Sequence, residues 1–153
     1  MSRRSGLTLI ELIVAFTILL ILTSMAVPLA RSRVKRNRAR DLTVALGDMR
    51  KAIDKYKDMC DGGKLGIQKQ DAMCYPESLE ALVEGVKGSG TNADVKLKFL
   101  RHIPKDPMTN SFEWGKRSMQ DDPKSQGWGG QNIFDVYTKS NDKASDGSPY
   151  SEW

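Results

Sequence analysis

The residue whose placement most suggests chemistry in this 153-residue chain is Glu11. It stands near the front edge of an apolar run, GLTLIELIVAFTILLILTSMAVP, from Gly6 to Pro28. A carboxylate in lipid is expensive and usually needs a partner, so this position asks for one. The alternative is that Glu11 rests at headgroup level and does nothing. The second candidate is the pair Cys60 and Cys74, whose spacing suits neither a CxxC redox site nor a metal site. In an oxidising compartment they could close one loop, and in a reducing one they would be two ordinary thiols. The third is the stretch SNDKASDGS, Ser140 to Ser148, rich in the hard oxygen donors that calcium takes. It lacks the spacing and the closing glutamate of an EF-hand, and a solvated polar tail explains its composition equally well. The single histidine, His102, lies beside a proline-bounded turn and reads as a surface or turn residue. No GxSxG, HExxH or phosphate-cradling glycine loop occurs, and an enzyme is not expected.

These residues need elements to hold them. From Leu12 to Ala30 no position is charged, which gives the length of a membrane-spanning helix. The run differs from a secretory signal, because the small residue Gly6 precedes the apolar core and no clean cleavage site follows it. The formal charge is +5, and the excess is local: Arg31, Arg33, Lys35, Arg36, Arg38 and Arg40 follow the run directly. From Asp41 onward acids and bases nearly balance, so the pattern reads as a collar near lipid headgroups or neighbouring subunits, not as a nucleic-acid surface. Counting positive charges on either side of the span would put the body in the cytoplasm. The periodicity then continues. Leu42, Ala45, Leu46, Met49, Ile53 and Tyr56 fall at intervals of three and four, one buried face of a helix from about Thr8 that breaks at Asp61, Gly62, Gly63. Pro28 is expected to kink or locally open that helix.

The rest of the chain must cover the stripe. Tyr75 to Val83 reads as a short helix with Pro76 at its start and Gly85 just past its end. Gly85 to Asp94 reads as loop, and His102 to Pro107 as a rigid turn. Phe112 to Gly115 and Ile133 to Tyr137 read as strands, with turn-rich sequence from Asp121 to Gly130 and a polar end that closes on Trp153. Trp114, Trp128 and Trp153 are expected in the core or at subunit contacts. The architecture expected is α+β: a long N-terminal helix, half apolar and half amphipathic, on a short helix and a small antiparallel sheet.

The string RSGLTLIELIVAFTILLILTSMAVP resembles the leader and first helix of type IV pilins and type II secretion pseudopilins. Tyr75-Pro76 with Leu79 and Ala81-Leu82-Val83, the turn Ile103-Pro104-Lys105-Asp106-Pro107, Asp135 after Ile133-Phe134, and Trp153 resemble the major pseudopilin branch (general secretion pathway protein G). The resemblance implies a type IV pilin-like fold and three segments: a leader at 1–6, a transmembrane or filament-core helix at 7–30, and a periplasmic globular domain at 31–153. It implies cleavage after Gly6 by a prepilin peptidase and methylation of the new amino terminus at Leu7, where phenylalanine or methionine is commoner. Glu11 would then be the fifth mature residue, able to pair with the amine of a neighbouring subunit. The implied topology, leader inside and body outside, overrides the charge count. Asp142 and Asp146 match the aspartates of the family's calcium loop, which is shorter and less acidic here. Implied partners are copies of the chain in a helical filament, minor pseudopilins, an inner-membrane platform protein and an assembly ATPase, with no nucleic acid. The implied work is export of folded proteins across the outer membrane, with no chemistry. The loop from Asp61 to Cys74 stands outside the usual pseudopilin pattern and keeps a type IV pilin (adhesion, motility or DNA uptake) as the alternative. A third reading is a plain membrane-anchored periplasmic binding domain.

Overall fold

A computed structural model describes residues 8–67, 69–90 and 93–153, with the backbone alone at 25–29. The described residues form helix α1, Leu9–Asp61, helix α2, Leu79–Glu84, and four short strands: β1 Val86–Lys87, β2 Lys96–Leu97, β3 Gly115–Arg117 and β4 Asp135–Tyr137. The chain divides into two compact units, one ending at Asn37 and one from Arg38 to Trp153.

In the first unit, α1 opens on a cap. Thr8 Oγ1 accepts from the Glu11 amide at 3.4 Å, and Thr8-x-x-Glu11 is a capping-box sequence that also sets an acid against the positive end of the helix dipole. The helix continues through position 28 without interruption. The side chains from Leu9 to Leu22 are exposed on all sides, with Leu9, Ile10, Phe16, Leu20 and Leu22 all above half their full area. The hydroxyls in this stretch are spoken for: Thr17 donates to Ile13 O at 2.7 Å, Thr23 to Leu19 O at 2.6 Å, and Ser24 to Ile21 O at 2.8 Å. Apart from the Glu11 carboxylate, this half of α1 therefore presents apolar surface whose hydroxyls need no water. Among the described residues no helix is long and apolar enough to cross a membrane. The uncharged run of the sequence also includes 25–29, whose side chains lie outside the described residues.

In the second unit the expected stripe of α1 is the core. Leu42, Ala45, Leu46, Met49, Ile53 and Tyr56 are all buried, with Ala52 beside them, while Asp48, Lys51, Asp54 and Lys55 are exposed. Leu79, Leu82, Trp114, Ile133, Val136 and Tyr150 pack against this face. Helix α2 starts later than the proline suggests. Ser78 is its N-cap, accepting from the Ala81 amide at 3.2 Å, and Pro76 is a buried residue whose carbonyl accepts from the Ile133 amide at 2.8 Å. Gly85 ends the helix at φ 88°, and a Cβ there would press on Leu97 O at 3.0 Å, so glycine is required.

The strands form two separate antiparallel ribbons instead of one sheet. The segment expected to be loop, Gly85 to Asp94, contains β1, which pairs with β2 (Val86 opposite Leu97). Strand β3 begins where the expected strand Phe112 to Gly115 ends, because Gly115 must face Tyr137. The Tyr137 ring covers Gly115 so closely that a Cβ would lie 2.3 Å from it, and glycine alone fits. The turn from His102 to Pro107 does more than bend the chain. Asp106 is fully buried, and its carboxylate accepts from Met108 N at 2.8 Å, Thr109 Oγ1 at 3.0 Å and Thr138 Oγ1 at 2.6 Å. It anchors the turn to the end of β4, and Trp114 Nε1 donates to Pro104 O at 2.9 Å across the same turn. His102 is exposed, as expected of a turn residue.

Cys60 and Cys74 are bonded, with their Cα atoms 5.5 Å apart. The bond fastens the last turn of α1 to the chain just after a 3-10 turn at Gln70–Ala72. Met73 and Cys74 both have positive φ, 50° and 64°, a region that costs non-glycine residues about 1 kcal/mol or more each. Closing a loop of this length restrains the unfolded chain by about 3 kcal/mol. Replacing both cysteines with serine is therefore expected to lower the body's unfolding free energy by about 3 kcal/mol in urea titration. Added reductant should bring the wild type to the same midpoint and leave the double variant unmoved. Equal midpoints for oxidised wild type and variant would show that the loop is held by its other contacts.

Candidate functional site

The candidate functional residues fall in three places. Gly6 and Leu7, the expected processing site, lie outside the described residues. Glu11 is exposed in the first turn of α1 and makes no ion pair among the described residues. Its amide is capped by Thr8, a role that the Thr-x-x-Glu spacing carries. The cap uses the Glu11 amide and leaves the carboxylate in the first turn of α1 among apolar neighbours, with no counter-charge among the described residues.

The oxygen-rich stretch from Ser140 to Ser148 folds as a pinned loop. Ala144 N donates to Ser148 O at 2.8 Å, Tyr150 N to Asp142 O at 3.1 Å, and Lys143 bridges to Pro149. Asp142 and Asp146 are exposed, and both raise the Tyr150 phenol above its ordinary pKa, although burial of that ring is the larger cause. The Asp146 carboxyl is held below the usual range by bonds from Ser148, whose Oγ and N donate to Oδ1 at 2.7 and 2.9 Å. A hard cation would find two carboxylates, hydroxyls and carbonyls on this loop, and would compete with Ser148 for one oxygen. Among the described residues no group of three or more His, Cys, Asp or Glu is placed to hold a metal.

A third assembly was not legible beforehand. Asp135, at the start of β4, receives two arginines: Arg50 Nε from α1 at 2.7 Å and Arg117 Nη1 from β3 at 3.3 Å. The same two guanidinium groups hold the end of the chain, Arg50 Nη2 donating to Trp153 O at 2.6 Å and Arg117 Nη2 to Ser151 O at 3.1 Å. Arg117 also lies 4.1 Å from the Tyr137 ring centroid, a cation–π contact that favours its buried position. Tyr150 and Trp153 meet edge to face at 4.8 Å and close the tail onto the core. The polar end of the sequence is thus ordered by charge pairing and two aromatic anchors. Of the other tryptophans, Trp114 is buried, while Trp128 is partly exposed beside a groove of about 470 Å³ with Phe112, Trp114 and Tyr137.

Comparison with known proteins places these features. Residues 1–27 match the prokaryotic N-terminal methylation motif. The chain is 37% identical over 120 residues to the type II secretion system core protein G of Pseudomonas aeruginosa, an alignment covering 74% of this chain and 76% of the relative. No solved structure matches the chain.

Proposed function

This chain belongs to the pseudopilin family of type II secretion core protein G, and from that premise we propose that it is the major subunit of a periplasmic pseudopilus. The observation that carries the reading is the extent of the similarity: 120 aligned residues reach well beyond the 27 of the N-terminal motif and into the body. In this reading residues 1–6 form the leader, removed after Gly6 by a prepilin peptidase that methylates Leu7. Residues 7–30 anchor the subunit in the inner membrane and later bundle in the filament core, and residues 31–153 form the periplasmic body. The exposed apolar half of α1, with its hydroxyls bonded back to helix carbonyls, suits both environments. Assembly from the membrane by a platform protein and its ATPase, with minor pseudopilins as further partners, would push folded proteins through the outer membrane. The work is mechanical.

Deleting the gene in its native host tests this reading. Secreted proteins should accumulate in the periplasm while surface pili persist. Intact secretion together with lost pili would make the chain a type IV pilin instead.

Calcium belongs to the same proposal. Asp142 and Asp146, with carbonyls of the 140–148 loop, would hold it, and the ion would supply charge neutralisation that tightens the loop beneath Tyr150. Millimolar calcium is expected to raise the melting temperature of the chain by a few degrees through binding to the folded state. The Asp142→Asn/Asp146→Asn variant should lose that response, and a wild type indifferent to both calcium and chelator would remove the ion from the account.

A further inference from the structure

We propose that the cations following the apolar run, Arg31, Arg33, Lys35 and Arg36, form a ring that binds the anionic phospholipid headgroups of the leaflet from which the body emerges. The inference rests on the membrane anchoring proposed above. All four side chains are exposed, and among the described residues none of them makes an ion pair. The hydrogen bond from this group is Arg36 Nη2 to Ser32 Oγ at 3.3 Å. No acidic residue lies between Glu11 and Asp41, so the sequence supplies no local counter-ion.

The arrangement around the helix selects the partner. At about 100° per residue, Arg31 and Lys35 fall within roughly 40° of each other, and Arg33 and Arg36 within roughly 60° on the other side. A helix that docked on one protein surface would carry its charges as a single stripe. Charges on both sides suit a surface that surrounds the helix, and a layer of lipid headgroups does. The axial spread agrees, since Arg31 to Arg36 spans about 7.5 Å at 1.5 Å per residue. That is close to the depth of one interfacial layer, about 5 to 8 Å from the difference between hydrocarbon and full bilayer thickness. Long side chains at a helix end reach such a layer by extending along the apolar surface. Each cation near an anionic surface raises local affinity by roughly five-fold.

The test uses the full chain reconstituted into vesicles of equal parts phosphatidylcholine and phosphatidylglycerol, and separately into phosphatidylcholine alone. Flotation and resistance to carbonate extraction report anchoring. Native mass spectrometry after mild detergent extraction from the mixed vesicles counts the retained lipids. Wild type is expected to float with both vesicles and to retain phosphatidylglycerol over phosphatidylcholine by at least ten-fold. The R31Q/R33Q/K35Q/R36Q variant should float equally well and show less than two-fold preference, and 0.5 M salt should weaken the wild-type preference. A wild type that floats with both vesicles yet retains the two lipids equally overturns the ring while leaving the anchor. A preference that survives in the variant also overturns it, as does a variant whose sole change is lost self-association, which would assign the ring to neighbouring subunits. Failure to float with either vesicle would instead sink the anchoring reading, and the ring with it.

Discussion

Replacing Glu11 with alanine is expected to leave cleavage after Gly6 intact and to reduce filament yield by at least tenfold. An acidic side chain without a partner costs about 2.5 to 3.5 kcal/mol at the centre of a helix embedded in lipid, an upper bound for Glu11 in the first turn of α1. The described residues offer Glu11 no cation, so the cost stays with the isolated subunit until another chain supplies one. Pairing with the amine of a neighbouring subunit would recover that free energy only on assembly. Since about 1.4 kcal/mol is a factor of ten, that upper bound corresponds to roughly 60- to 300-fold in the assembly equilibrium. Alanine removes the penalty in the membrane and the gain in the filament together, so the bias toward assembly disappears. The second role of this position, in the helix cap, needs its own control. Thr8→Ala breaks the cap and should cost about 1 kcal/mol of local helix stability while leaving filaments near wild-type yield. Processing is read as the mobility shift of the mature chain, and assembly as the sheared filament fraction. A bulky residue at Gly6 should block the mobility shift itself. Normal filaments from Glu11→Ala would end the pairing account.

The second large effect is expected at Asp135. Its carboxylate joins α1, β3, β4 and, through the two arginines, the last turn of the chain. Alanine there would leave Arg117, only 9% exposed, with an uncompensated charge in the core margin. Breaking a buried pair in this way typically costs about 3 to 5 kcal/mol. Arg50 is 38% exposed and recovers water when its partner is lost, so the lower end, about 3 kcal/mol, is expected here. For a body of this size that is a fall of roughly 10 °C or more in melting temperature. Asp135→Asn keeps the shape and should fall between. Amide exchange at 150–153 should quicken first, because the arginines that bond Ser151 O and Trp153 O lose the carboxylate that fixes them. A variant melting within 2 °C of wild type would mean that Tyr150 and Trp153 alone secure the tail.

Helices were the legible part of this chain. The buried face of α1 could be read from Leu42 to Tyr56 because a 3.6-residue period survives whatever packs against it. The strands were less so. Strand β1 hides in Val86–Lys87, two residues with no alternation to detect, and exists because Leu97 lies opposite Val86. The start of β3 at Gly115 is fixed by the Tyr137 ring, twenty-two positions away in sequence, and no local pattern encodes it.

The sequence by itself determined the features that depend on neighbours along the chain: the uncharged run from Leu12 to Ala30, the collar behind it, the amphipathic period and the N-terminal methylation motif. Each is a matter of helical geometry or of composition within a few turns. Tertiary structure alone decided that Cys60 meets Cys74, that Asp106 is buried beneath Thr138, and that Arg50 and Arg117 share Asp135. Charges and thiols carry no direction in a sequence. What a carboxylate pairs with is set by which elements the core brings within about 3 Å of it, and the core is assembled from apolar residues distant along the chain.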